Sequence, residues 1–140
     1  MSAKTVNAFP VSEHELQVSL CDYLDIMVRP DVFWFAIPNG GFRSIGVAMK
    51  LKREGVRRGP SDMVFVLPQG RAAWLELKVK GGSLSDDQKL FRDVCLTNGH
   101  PWAVAKNLNE AIEFLRSIGA LRNYPSKEVN QAKEKASERT

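Results

Sequence analysis

Nowhere in these 140 residues is there an apolar run approaching about 18 residues, nor a charged-then-apolar leader, so neither a membrane span nor a secretion signal is expected. Cysteine is scarce. Cys21 and Cys95 each fall within a helical apolar pattern, where free thiols pack as small hydrophobes, and two isolated cysteines make no zinc pattern. A reduced cytoplasmic compartment is the default for such a chain. His14 and His100 are not placed like a metal-binding pair, and no glycine loop followed by Lys-Ser or Lys-Thr is present, so nothing suggests ATP dependence. No internal repeat is visible.

What is present suits one small globular domain. A hydrophobic share of 44% is ordinary, and 140 residues are enough for a real core. The formal net charge of +4 is modest, so its distribution matters more than its size. Arg43, Lys50, Lys52, Arg53, Arg57 and Arg58 stand against Glu54 alone, and the run ends at Asp62. Such a patch can hold phosphates electrostatically without reading sequence, although a solvated helix face would carry the same charges. Ahead of it, Asn39-Gly40-Gly41 reads as a loop whose backbone amides could approach a phosphate or simply make a turn.

The densest chemistry follows the basic run. Residues 61–67 (SDMVFVL) are short, β-branched and aromatic, and Pro68-Gln69-Gly70 stops them, which predicts a buried strand entering a hairpin. Its partner is the strand predicted over 71–80 (RAAWLELKVK). Alternation puts Ala73, Leu75, Leu77 and Val79 on one face and Trp74, Glu76, Lys78 and Lys80 on the other. Glu76 and Lys78 are then about 7 Å apart at Cα. Closure of the hairpin near Gln69-Gly70 brings Asp62 to the same end. Two carboxylates there could share a hard divalent cation, Mg²⁺ or Mn²⁺, with the main-chain carbonyl of Leu77 as a further oxygen ligand. The ion would activate water against a phosphodiester, and Lys78 could orient that water or offset charge on the phosphate. A solvated Glu-Lys pair on an amphipathic strand is the alternative reading of the same triplet.

Two helix starts carry further candidates. Leu16, Leu20, Tyr23, Leu24 and Met27 define a core-facing stripe of a helix over 12–28. Glu13 lies about 40° from the centre of that stripe and Glu15 about 120° from it, so Glu13 can point towards the sheet. Ser12-x-x-Glu15 also forms a capping box, and both acids suit a first turn through the helix dipole. Ser85-Asp86-Asp87-Gln88 is a second capping box, opening the next helix. The remaining elements are a first strand over 32–37, a helix over 42–53, a late strand over 101–106, and a helix from Asn107 to about Leu121 ended near Gly119. The expected order is α-β-α-β-β-α-β-α, a mixed central sheet flanked by helices. Residues 1–11 are expected to be a flexible start, 12–121 the domain, and 122–140 a polar, mobile tail.

These motifs, in this order, resemble the VRR-NUC family of the PD-(D/E)xK nuclease superfamily. The resemblance runs over about residues 12–120. It rests on the helical Glu13, IPNGG (37–41), VRRGPSD (56–62), LELK (75–78), the Ser85-x-x-Gln88 start, and the terminal strand and helix. It implies a restriction-endonuclease-like α/β fold and a Mg²⁺- or Mn²⁺-dependent endonuclease with Asp62, Glu76, Lys78 and Gln88 as catalytic residues. Metal ligands would come from Glu13, Asp62, Glu76 and Leu77, with Gln88 helping to hold Lys78 or the substrate phosphate. DNA is the implied partner, contacted by Asn39, Gly40, Arg43, Lys50, Lys52, Arg53, Arg57 and Arg58. Stand-alone members that it resembles are homodimers in bacteria or phage-infected cells, which suits resolution of four-way junctions; flap or branched-DNA nicking and a non-catalytic DNA-binding module are the alternatives. A chain with only this domain has little surface for reading a long sequence, which favours shape recognition. One departure is visible: the family usually has Pro directly before the Asp, whereas here Ser61 stands there and Pro60 comes one place earlier.

Overall fold

Each helix among the described residues begins where a polar side chain can satisfy the free amides of a first turn. Ser12 and Glu15 close a capping box on α1 (Glu13–Met27). Ser44 accepts from the Val47 amide at α2 (Ile45–Arg53), and Asn107 accepts from the Glu110 amide at α4 (Leu108–Ser117). Ser85 and Gln88 form the second box, at α3 (Asp86–Thr97). The strands between them are β1 (Phe33–Ala36), β2 (Met63–Leu67), β3 (Arg71–Leu77) and β4 (Trp102–Ala105). The computed structural model describes residues 11–38 and 43–123; nearly all of the expected flexible start and polar tail, together with Asn39 and Gly40, lie outside the described residues.

The sheet has the order β1-β2-β3-β4, antiparallel except for the parallel β3–β4 pair. It is the mixed α/β arrangement that the element order predicted. Strand parity sorts the side chains. Leu16, Leu20 and Leu24 of α1 and Ala111 and Leu115 of α4 pack on Phe65, Leu75 and Leu77 in one buried core. Each fully buried Leu or Phe contributes about 1.5–3 kcal/mol to holding those layers together. On the opposite face α3 covers β3, where Phe91 meets Trp74 edge-on with ring centroids 5.0 Å apart. No helix covers the β1–β2 half of that face among the described residues, and Phe33 and Val66 are 69% and 48% exposed there.

Element ends depart from the sequence expectation for local reasons. The third strand stops at Leu77, not Lys80, because the ladder ends: the Leu77 amide is taken by a side chain of Asp62, and a turn closed by Gly82 N–H to the Val79 carbonyl follows. The α2 helix starts at Ile45, not Phe42, because Ser44 is its cap. The last helix ends at Ser117, not near Leu121: Gly119 adopts φ 75°, and the Ala120 and Gly119 amides fold back to the carbonyls of Leu115 and Arg116. At this end of the sheet Arg29, Arg71 and Arg122 donate to the carbonyls of Gly119, Ile118 and Val28, so their charges stabilise helix C-termini.

Candidate active site

Register decides what meets at the other end of the sheet. Met63 pairs with Leu75, so Asp62, one residue before β2, comes level with the last residues of β3. Its Oδ2 accepts the Leu77 amide proton at 2.7 Å, a bond that fixes the carboxylate at the sheet edge. Lys78 N–H goes instead to the Ala105 carbonyl of β4, and alternation therefore turns the Leu77 carbonyl towards the Asp62 edge. Glu76 sits on the α3 face and is only 3% exposed. That excludes the solvated strand-face reading for this residue. Lys78 Nζ lies 4.0 Å from Glu76 Oε1, on the same face as parity requires.

The electrostatics follow from that crowding. Burial, with the adjacent Asp62 charge next, pushes the Glu76 carboxyl up to about 8; Lys78 pulls it down by less, and a hydrogen bond with Asp62 and the charge of Glu13 add smaller rises. A buried carboxylate of this kind stays ionised at neutral pH only when more positive charge arrives. Among the described residues no three His, Cys, Asp or Glu side chains converge closely enough to hold an ion unaided. The oxygens that could share one are those of Asp62, Glu76 and the Leu77 carbonyl.

Helix starts supply the flanking groups. Gln88 serves two partners at once: its Oε1 accepts the Ser85 amide proton at 2.9 Å, and its Nε2 donates to Glu76 Oε1 at 2.9 Å. The resemblance implied a role beside Lys78 or the substrate phosphate; the side chain that Gln88 meets is Glu76, and because an amide has separate acceptor and donor ends the cap does not exclude that bond. At α1, Glu15 is held in the capping box, Oε2 accepting the Ser12 amide proton at 3.3 Å. Glu13 instead lines a cleft of about 520 Å³ with Asp62, Ile37 and Pro38. Two further side chains line this cleft: His14, which the sequence reading weighed only as half of a metal-binding pair, and Gln17, which it passed over. The available signal was spacing: Gln17 is one turn beyond Glu13 on the same helix face.

The loop that carries Asp62 is tied down on both sides. Ser61 is fully buried, and the Trp102 indole N–H donates to its Oγ at 3.0 Å, from a strand two places across the sheet. Gly59, with φ 109°, lies against α3: a Cβ there would stand 2.5 Å from the Asp87 carbonyl oxygen. Arg57 and Arg58, just before it, are exposed, as are Arg43, Lys50, Lys52 and Arg53. None of these six is ion-paired with a carboxylate among the described residues. Arg43 donates to the Pro38 carbonyl at 3.1 Å, beside the cleft. No described contact brings Lys50, Lys52 or Arg53 to the carboxylates; they line the exposed α2. No helix among the described residues is long and apolar enough to cross a membrane.

Comparison with known proteins agrees with this geometry. A search of curated proteins finds no match. One solved structure, a "VRR_NUC domain protein", superposes with a TM-score of 0.60 over 77% of this chain and 88% of its own, at 19% identity, which shows a shared fold. The family profile of the VRR-NUC domain matches residues 31–107, more than half of the chain and a span that includes Asp62, Glu76, Lys78 and Gln88. The chain belongs to the VRR-NUC domain family, and with it to nuclease-type proteins that act on DNA.

Proposed function

We propose that this protein is a divalent-metal-dependent endonuclease that cuts branched DNA, with the four-way junction as leading substrate and a homodimer as working form. One observation carries the catalytic part: Glu76 is buried against Asp62, with a raised pKa, at a sheet end where Lys78 and Gln88 also converge. Excess buried negative charge is stabilised by a cation, and the donors are oxygens. Asp62, Glu76 and the Leu77 carbonyl suit Mg²⁺ or Mn²⁺, which take a few protein oxygens and fill the remaining positions with water and substrate phosphate. When bound, such an ion would polarise the scissile phosphate and lower the pKa of the attacking water.

The chain's own residues have separable tasks. Gln88 holds the Glu76 carboxylate by Oε1 and so fixes it beside Asp62. Lys78, 18% exposed at its side chain, is screened enough to act as a fixed charge beside the phosphate and to orient a water. Glu13 enters from α1 and supports the negative rim of the cleft. Arg43, Arg57 and Arg58 are exposed and without carboxylate partners among the described residues, which favours contact with phosphates over bases. For assembly, the exposed Phe33 and Val66 beside the edge strand β1 offer a surface that a second copy would cover, and a two-fold pair of sites suits symmetric nicking.

The test is cleavage of linear, flapped, splayed and four-way DNAs with and without Mg²⁺ or Mn²⁺, beside Asp62→Asn and Lys78→Ala. Metal-dependent paired nicks in the four-way DNA are expected, with a loss on the order of 10²-fold or more in each variant. Undiminished cutting by the variants sinks the site. Binding without cutting by wild type selects a DNA-binding module, and preferential cutting of flaps selects a nickase. Sedimentation as a monomer through the active concentration range removes the paired mechanism.

A further inference from the structure

The α2 helix is the anomaly of the fold. None of its nine residues is buried, and only Leu51 is even half-covered. A lone helix shorter than about 12 residues is marginal in water, so an element this bare gains most of its definition from what it meets. Two of its apolar side chains are widely exposed: Ile45 is 81% and Met49 63% exposed. They are four residues apart and form one ridge, about 140° round the helix from Leu51 by the 100° step, so the ridge points away from the side where the helix touches the domain. Cations frame it, with Lys52 on one flank and Arg53 on the other, and Lys50 further round.

The framing limits what can cover the ridge. A second copy packing α2 on α2 would bring these lysines and arginines against their own images, a like-charge contact that disfavours it. A polyanion suits the rim, yet phosphates offer nothing to Ile45 or Met49. Nucleic acid supplies both features only where base faces are open, because stacked duplex shows its edges and its backbone alone. Branch points, nicks and kinks open base faces, and aliphatic side chains are among those that wedge against them. The ridge also stands at a set distance along the chain from the cut: the Arg53–Asp62 segment links α2 to the candidate site and is pinned at Gly59 and Ser61.

We infer that α2 is a branch-reading element, in which Ile45 and Met49 pack on a base face left open at a DNA branch point while Lys50, Lys52 and Arg53 hold the flanking phosphates. This deepens the nuclease reading, on which it rests for the identity of the partner, by naming the residues that distinguish a junction from plain duplex.

The experiment uses the full chain in EDTA, with a four-way junction and a linear duplex of matched sequence, each labelled for anisotropy and carrying 2-aminopurine at the branch position. The variants are Ile45→Ala with Met49→Ala, which keeps helix propensity, and Lys52→Ala. Wild type is expected to bind the junction more tightly and to raise 2-aminopurine fluorescence there. The double variant should lose the fluorescence rise and about tenfold or more in junction affinity, the range of one base-stacking contact, with duplex affinity held within about twofold. Lys52→Ala should weaken both DNAs together. Equal weakening of both by the double variant, or no change in either, overturns the inference. So does a shift from dimer to monomer in sedimentation, which would assign the ridge to a second copy. Failure of the nuclease reading looks different: ridge-dependent junction binding by a protein that cuts no DNA with Mg²⁺ or Mn²⁺ keeps the branch reading and removes the catalysis.

Discussion

Replacing Glu76 by Gln should make the metal-free protein more stable, and increasingly so as pH rises. The physical reason is the position of its carboxyl, pushed from 4.5 up to about 8 by burial and by Asp62. Between those values the folded protein holds a proton that the unfolded chain has released. Stability therefore falls as pH rises, by about 1.4 kcal/mol per unit for this group. The penalty is absent below about pH 4.5 and complete above about pH 8. Over the full interval it amounts to at most about 5 kcal/mol. A Gln side chain keeps an oxygen for the Gln88 Nε2 bond but carries no charge to desolvate.

Urea unfolding in EDTA from about pH 4.5 to about pH 9 measures this directly. The two proteins should coincide at the acid end and separate steadily, the variant leading by an amount equivalent to on the order of 10 °C in Tm at the alkaline end. Added Mg²⁺ or Mn²⁺ should raise wild-type stability above pH 8 by mass action and leave Glu76→Gln nearly unmoved. Cleavage should be lost in the variant throughout. Parallel stability profiles across the whole range would refute the placement of an uncompensated carboxyl in this site.

Three other perturbations separate structural from catalytic tasks. Ser85→Ala removes only the hydroxyl half of the α3 capping box and should cost about 1 kcal/mol in urea melts with cleavage retained, whereas Gln88→Ala removes the amide half of the box and the Glu76 bond and should lower kcat as well. Gly59→Ala forces a Cβ into the Asp87 carbonyl at a left-handed φ and should destabilise by about 2 kcal/mol or more, with DNA binding weakened because Arg57 and Arg58 move with the loop. Ser61→Ala and Trp102→Phe each break the same buried hydrogen bond. Each should cost about 1–2 kcal/mol and lower kcat more than it raises KM, with a double variant well short of additive; additive losses would show that the bond does not position Asp62.

What the sequence revealed and what it hid divide along the range of the interactions. Capping boxes at Ser12 and Ser85 are contacts over three residues, so their patterns are legible and the helices start where those patterns put them. Strand parity is equally local. It placed Glu76 and Lys78 on one face, but parity cannot say whether a face is wet, and the burial of Glu76 depends on α3 arriving over it. The end of β3 escaped for a related reason: Lys78-Val79-Lys80 continues the alternation, while the ladder stops because Asp62, fifteen residues away, takes the Leu77 amide. Ser61 makes the point most sharply. Beside a family pattern that has Pro there, it stood out only as a departure. In the fold it is a buried hydroxyl tied to Trp102, forty-one residues on. Proline would fix the backbone before Asp62 by restricting φ, whereas here a side-chain bond to β4 restrains the same loop. If that substitution of one restraint for another is right, Ser61→Pro should tolerate Trp102→Phe with little further loss of activity, and Ser61→Ala should gain nothing from it. A further loss of the full single-variant size on Trp102→Phe in either background would mean that the indole acts as packing and not through this bond.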